Sequence, residues 1–92
     1  MLDYVWNPEK AESNARKHGV SFLDAAAVFG DTLAWTFPDQ EHSINEERYL
    51  TIGLSESGRL LVVSHTDQGD LVRIISAREA TRHERRYYEK GR

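Results

Sequence analysis

Seven of the last twenty residues are basic: Arg73, Arg78, Arg82, Arg85, Arg86, Lys90 and Arg92. They stand against only Glu79, Glu84 and Glu89, so this end carries a net +4. Residues 1–72 hold five basic and twelve acidic residues, a net −7, and the whole chain is at −3. A guanidinium stays charged and presents a planar fork of donors that fits phosphate oxygens. A focused cationic surface draws phosphates even on a molecule that is acidic on average. The chemistry open to such a cluster is phosphate binding, and stabilisation of the charge that develops in phosphoryl transfer.

Each candidate also has a plainer reading. Arg73 lies inside the apolar run Leu71–Ala77. Alternation groups it with Leu71, Ile75 and Ala77, opposite Val72 and Ile74. A mid-strand arginine must reach water, an acid or a ligand, so a cross-strand carboxylate and a phosphate are both open to it. Arg78 and Arg82 flank a strand-to-helix junction, where free helix N–H groups add anion affinity; solvation is the alternative. Arg85 and Arg86 read as a charged helix face or a docking site for an acidic partner. Arg48 is a candidate cation, and Glu46 or Glu47 beside it a base or a simple ion-pair partner.

Lys17 and His18 close a first helix, where a cation complements the dipole. An imidazole is suited to acid or base work, so His18 is a candidate for it. Its place with Ala11, Asn14 and Ala15 points it inward. Tyr87 and Tyr88 are adjacent, so only one can face the sheet; packing is the default, and a phenol can stack on a base. His65 reads as structural or solvated, near Arg73 across a hairpin. Four scattered histidines and no cysteine give no metal-ligand spacing, and no cofactor or metal is expected. No glycine-rich phosphate loop is present.

The positioning elements follow from period and punctuation. Asp3 to Trp6 suits a short strand. Asn7-Pro8-Glu9 starts a helix that Gly19 stops. Ser21 caps a second helix with Phe22, Ala25, Ala26 and Phe29 inward, ended by Gly30-Asp31. Strands follow over Leu33–Phe37, Arg48–Leu54, Leu60–Thr66 and Leu71–Ala77. Ser55–Gly58 and Asp67–Asp70 are turns, and Pro38–Glu46 is an acidic loop. Thr81-Arg82-His83-Glu84 forms a capping box for the last helix, with Ser76 and Glu79 as a rival start. The expectation is one α+β domain over residues 1–92, ordered β-α-α-β-β-β-β-α. Its antiparallel meander carries the helices on one face, and Phe22, Ala26, Phe29, Leu50, Ile52 and Ile74 meet in one core. No run approaches the roughly 20 apolar residues of a membrane span, and no secretion signal is evident, so the cytoplasm is expected.

That order, with arginines on the late strand and last helix, resembles the RelE-like fold of small bacterial ribonuclease toxins. The strings Trp6-Asn7-Pro8, Asn14 to Phe22, Ala26 to Phe29, Glu46-Glu47-Arg48 with Ile52-Gly53, and Arg73 to Arg78 resemble the BrnT toxin family, from about Trp6 to Tyr88. Asn7 stands where an aspartate is common in relatives, and serves equally as a cap. The resemblance implies a type II toxin that cleaves RNA, inhibits translation and is neutralised by a BrnA-type ribbon-helix-helix antitoxin. Operator DNA would be met only through that complex, and mRNA would be the substrate.

On this reading, metal-independent cleavage would use Arg48, Arg73, Arg78, Lys17, His18 and Glu46. Arg82 and Tyr88 would contact RNA, and Arg85 and Arg86 the antitoxin. Arg59, in a turn, would be dispensable. A non-catalytic nucleic-acid-binding module and a pure protein-interaction partner are the alternatives.

Overall fold

The computed structural model describes residues 2–90. Met1, Gly91 and Arg92, the last cation of the basic end, lie outside the described residues. The elements are β1 (Asp3–Val5), α1 (Pro8–His18), α2 (Phe22–Ala26), β2 (Trp35–Pro38), β3 (Tyr49–Leu54), β4 (Leu60–Gln68), β5 (Leu71–Glu79) and α3 (Arg82–Lys90). Single 3-10 turns at Ala27–Gly30 and Gln40–His42 extend α2 and interrupt the acidic loop. This is the expected order and an α+β fold.

The local signals act as their chemistry dictates. The Asn7 side chain accepts from the Glu9 and Lys10 amides at 2.8 and 3.2 Å. Gly19 closes α1 at φ 67°, a left-handed conformation that a side chain resists. Ser21 Oγ accepts from the Asp24 amide. At α3, the Glu84 amide donates to Thr81 Oγ1 and the Thr81 amide donates to Glu84 Oε1, so the Thr81 box is the start that forms.

The sheet order is β1-β5-β4-β3-β2. β2 through β5 form the antiparallel meander. β1 adds to the far edge of β5 in parallel, a pairing that the meander expectation lacked. Between Ser64 and His65 the β4–β5 register slips by one, leaving Ile75 without a partner: a β-bulge on β5.

The expectation that all helices pack on one face is overturned. The core is two clusters on opposite faces. One joins Val20, Phe22, Ala25 and Val28 from the α1–α2 region to Leu61, Val63, Val72, Ile74 and Ala77. The other joins Tyr88 of α3 to Ile52, Leu60 and Val62, with Leu50 and Phe37 at its margin. Leu50 and Ile52 therefore do not meet Phe22 and Phe29. The reason is alternation: Thr51 pairs with Val63 and turns to the α1–α2 face, so its neighbours turn to α3. The bulge likewise puts Ala77 with Val72 and Ile74 rather than with Arg73. A close approach fixes Gly53, where an added Cβ would meet Val28 Cγ1 at 2.8 Å.

Two polar devices lie within this frame. Asn14, buried on α1, donates to the Val20 and Ala77 carbonyls and accepts from the Ala77 amide, clamping α1 to β5. Asp31 accepts from the amides of Leu33 and Leu54 and from the Tyr88 hydroxyl at 2.6 Å, tying α3 to the end of β3.

Candidate functional site: an arginine cluster on the open sheet face

α3 covers only one end of its sheet face. Its buried Tyr88 sits over Ile52, Leu60 and Val62. Toward the other end of β4 the same face carries Arg73, which pairs with Thr66. Two residues beyond Leu50, in the same alternation, comes Arg48. The loop joining β2 to β3 closes over this end. Ser43 Oγ donates to the Asp39 carbonyl and accepts from the Arg48 amide, and the Asp39 amide donates to the Arg48 carbonyl. These bonds fix where Arg48 emerges.

Glu46 joins the two strands. Its Oε1 accepts from Arg73 Nη2 at 2.6 Å and lies 3.8 Å from Arg48 Nε. Arg48 Nε is buried and has no hydrogen-bond partner among the described residues. A carboxylate is thus seated between two guanidiniums, one of which keeps a donor unspent. A cleft of about 270 Å³, lined by Glu41, His42, Ile44, Asn45, Glu46 and Arg48, opens beside it. Arg73 does meet an acid, but Glu46 comes from the β2–β3 loop and not from a neighbouring strand.

Arg78 lies on this face too, because Val62, its partner, faces α3. By simple alternation Arg73 and Arg78, five residues apart, would face opposite ways; the bulge at Ile75 realigns them. They do not converge, however. Their partners Thr66 and Val62 are four residues apart, roughly 13 Å along the strand. Arg78 is engaged in a bidentate pair with Glu84, at 2.7 and 2.9 Å. The Arg78 guanidinium holds the Glu84 carboxyl down at about 2, aided by the Thr81 amide and hydroxyl against the opposing effect of burial. Arg78 docks α3 and is not part of the Arg48–Arg73 cluster.

Lys17 and His18 are also elsewhere. α1 packs on the other face and ends near Arg59, whose Nη1 donates to the Gly19 carbonyl. His18 is exposed, not inward; Asn14 is the buried polar residue of that helix. Arg59 also pairs with Glu79, so it is a structural tie and a poor inert control. Tyr88 is buried with its hydroxyl on Asp31, which removes it as a base-stacking surface. Tyr87 is the exposed one, at 49%. Arg82, Arg85 and Arg86 are exposed, but Arg85 and Arg86 project from different sides of α3.

His65 is far from solvated. It is 1% exposed, edge-on to Phe29 and stacked on Tyr49, with Nε2 at 2.7 Å from Thr51 Oγ1 and Nδ1 at 2.6 Å from Asp67 Oδ1. Thr51 Oγ1 continues to Thr36 Oγ1. Burial lowers the His65 pKa, partly opposed by Asp67. This chain lies on the α1–α2 face, away from Arg73. Glu47 also turns from the cluster, accepting from the Tyr49 hydroxyl. Among the described residues no group of three or more His, Asp or Glu side chains could hold a metal ion, and no helix is long and apolar enough to cross a membrane.

Fold and site together define a small α+β domain with two arginines around one carboxylate on a half-open sheet face. The family model described as the ribonuclease toxin BrnT of type II toxin–antitoxin systems matches residues 6–84, and the chain belongs to that family. Among solved structures, the ribonuclease toxin BrnT of Brucella abortus superposes with a TM-score of 0.68. It shares 24% identity and the alignment covers 89% of this chain and 100% of that one, a likeness of fold. No curated protein matches by sequence.

Proposed function

We propose that this protein is a metal-independent endoribonuclease with a RelE-like fold. It is a toxin that blocks translation by cutting mRNA in the cytoplasm until a ribbon-helix-helix antitoxin neutralises it. The observation that carries the site is the Glu46 carboxylate between Arg73 and Arg48. It marks where two guanidiniums hold an anion.

An entering RNA phosphate displaces Glu46 toward the solvent side and takes its place. Arg73 and the unspent Nε of Arg48 then donate to the non-bridging oxygens. Glu46, now beside the ribose, accepts the 2′-hydroxyl proton. The 2′-oxygen attacks phosphorus, the bond to the 5′-oxygen breaks, and that oxygen takes a proton from water, whose hydroxide takes up the proton held by Glu46. The products are a 2′,3′-cyclic phosphate and a free 5′-hydroxyl. Donors aimed at the phosphorane supply most of the acceleration, and the base adds about 10²–10⁴-fold. Arg82 and Arg85, exposed on one flank of α3, are cations open to the acidic antitoxin.

The test is incubation of purified protein with single-stranded RNA in excess chelator. Cleavage with cyclic-phosphate ends, slowed about 10²–10³-fold in a folded Arg73→Ala variant, is expected. Cleavage that requires a divalent ion, or proceeds in Arg73→Ala at a near wild-type rate, would overturn the assignment.

A further inference from the structure

α3 has two unlike solvent sides. At 100° per residue, His83, Arg86, Tyr87 and Lys90 fall on one flank of the inward-facing Glu84–Tyr88 stripe, and Arg82, Arg85 and Glu89 on the other. The first flank borders two clefts, about 410 and about 300 Å³, that share His83 and Tyr87 and so form one groove. Phe37 and Ile52 floor it. The Tyr87 ring stands edge-on to Trp35 and Phe37, at centroid distances of 5.8 and 6.0 Å. Two neighbours hold it in place while about half its surface stays open. Arg86 and Lys90 make no ion pair with another described residue. The one acid in the groove, Glu84, is committed to Arg78.

We propose that this groove is a nucleotide subsite for single-stranded RNA: Tyr87 is a stacking platform for one base, and Arg86 and Lys90 hold the adjoining phosphate. The inference rests on the ribonuclease reading and extends it from the scissile phosphate to a neighbouring nucleotide. A positioned aromatic face beside backbone-tracking cations is how single strands are bound without base-edge readout. Charge is complementary, since free cations flank the platform. The location fits as well. Phe37 pairs with Leu50, two residues from Arg48, so the groove begins about 7 Å along the sheet from the arginine cluster. An acidic peptide would also meet cations here, but the short distance along the sheet to the Arg48–Glu46–Arg73 cluster favours a strand of RNA running from one to the other.

The probe is a fluorescein-labelled 2′-O-methyl dodecauridylate, which lacks the attacking hydroxyl and cannot be cut this way. Binding is read by anisotropy, with thermal unfolding recorded for each variant. Tyr87→Ala should weaken binding by about 5- to 150-fold, the size of one lost base–aromatic stack, while Tyr87→Phe stays within about twofold of wild type. Arg86→Ala with Lys90→Ala should flatten the salt dependence of the affinity. If Tyr87→Ala unfolds, the phenylalanine and double-alanine variants carry the test alone.

Wild-type affinity in a folded Tyr87→Ala variant overturns the proposal. So does a loss in Tyr87→Phe as large as in Tyr87→Ala, an unchanged salt slope, or a loss confined to a synthetic Glu/Leu amphipathic peptide. Cleavage of unmodified RNA by the wild type is scored separately, so failure of the ribonuclease reading and failure of this subsite are distinguishable.

Discussion

The two faces of the sheet are built from the same strands and treat water differently. Toward α1 and α2, Val20, Ala25, Val28, Leu61, Val63 and Ala77 are wholly buried, and polar groups are admitted only when paired, as in Asn14 or His65–Thr51. Toward α3, one end is covered by a buried Tyr88 and the other is left to Arg48, Arg73 and Glu46, half in solvent. The dry face sets the strand positions. The half-open face inherits those positions and presents charge on them. Damage on the first should appear as lost stability, and damage on the second as lost chemistry.

The largest expected effect is on the closed face. Asn14→Ala deletes three buried hydrogen bonds and orphans backbone groups of Val20 and Ala77. At about 1–3 kcal/mol for each of the three unsatisfied groups, unfolding free energy should fall by about 3 kcal/mol or more. Urea denaturation reads this directly, and a loss below about 1 kcal/mol would mean that the clamp does not hold the sheet.

Next come Arg73→Ala and Arg48→Ala. Each should lower the cleavage rate about 10²–10³-fold, or about 2.7–4 kcal/mol, with the unfolding midpoint nearly unchanged. Equal loss of midpoint and rate would erase the distinction between the faces.

Arg78→Ala sharpens it, because Arg78 is on the open face yet serves packing. Its loss should cost about 1–2 kcal/mol of stability, allowing for solvent around a half-exposed pair. Activity at low temperature should persist. A folded Arg78→Ala protein with no activity would return this residue to the proposed catalytic cluster.

The smallest effects are those of pH. Glu84 is held at about 2 against an ordinary 4.5, so its contribution is intact above 4.5 and is lost as pH falls from there toward 2. His65 is pushed below its ordinary 6.5 by burial, so the unfolded chain takes up protons first and stability declines as pH falls below about 6.5. His65→Gln should flatten the loss between pH 7 and 5 without touching the more acidic one. A parallel profile in the variant would assign the decline to other groups.

Much of this frame is legible in the chain. Asn7-Pro8, Gly19, Ser21 and the Thr81 box are local hydrogen-bond devices, and local devices can be read locally. The hairpins follow from alternation and turn residues. Other features need a view across the sheet. The side to which α3 returns depends on which flank of β3 and β4 remains uncovered. The Arg73–Glu46 contact joins residues 27 apart, and either answer for Arg73 satisfied the sequence. Tyr87 and Tyr88 are chemically equal neighbours until Asp31, far upstream, selects one. Helical spacing sets His18 and Asn14 on one stripe, and only Asn14 reaches the interior.

The bulge on β5 also bears on chain length. Because Ile75 is one residue more than β4 can pair, a chain with one residue fewer between Arg73 and Ala77 would regain continuous pairing and still direct Arg73 and Arg78 to one side and Ile74 and Ala77 to the other. What it would give up is the local bend and extra twist. A residue added there has no such refuge, and would either enlarge the bulge or reverse every side chain from Ser76 onward. Single-residue deletions scanned through this stretch should therefore be tolerated where insertions are not, and strand curvature, rather than side-chain direction, is the property that the surplus residue confers.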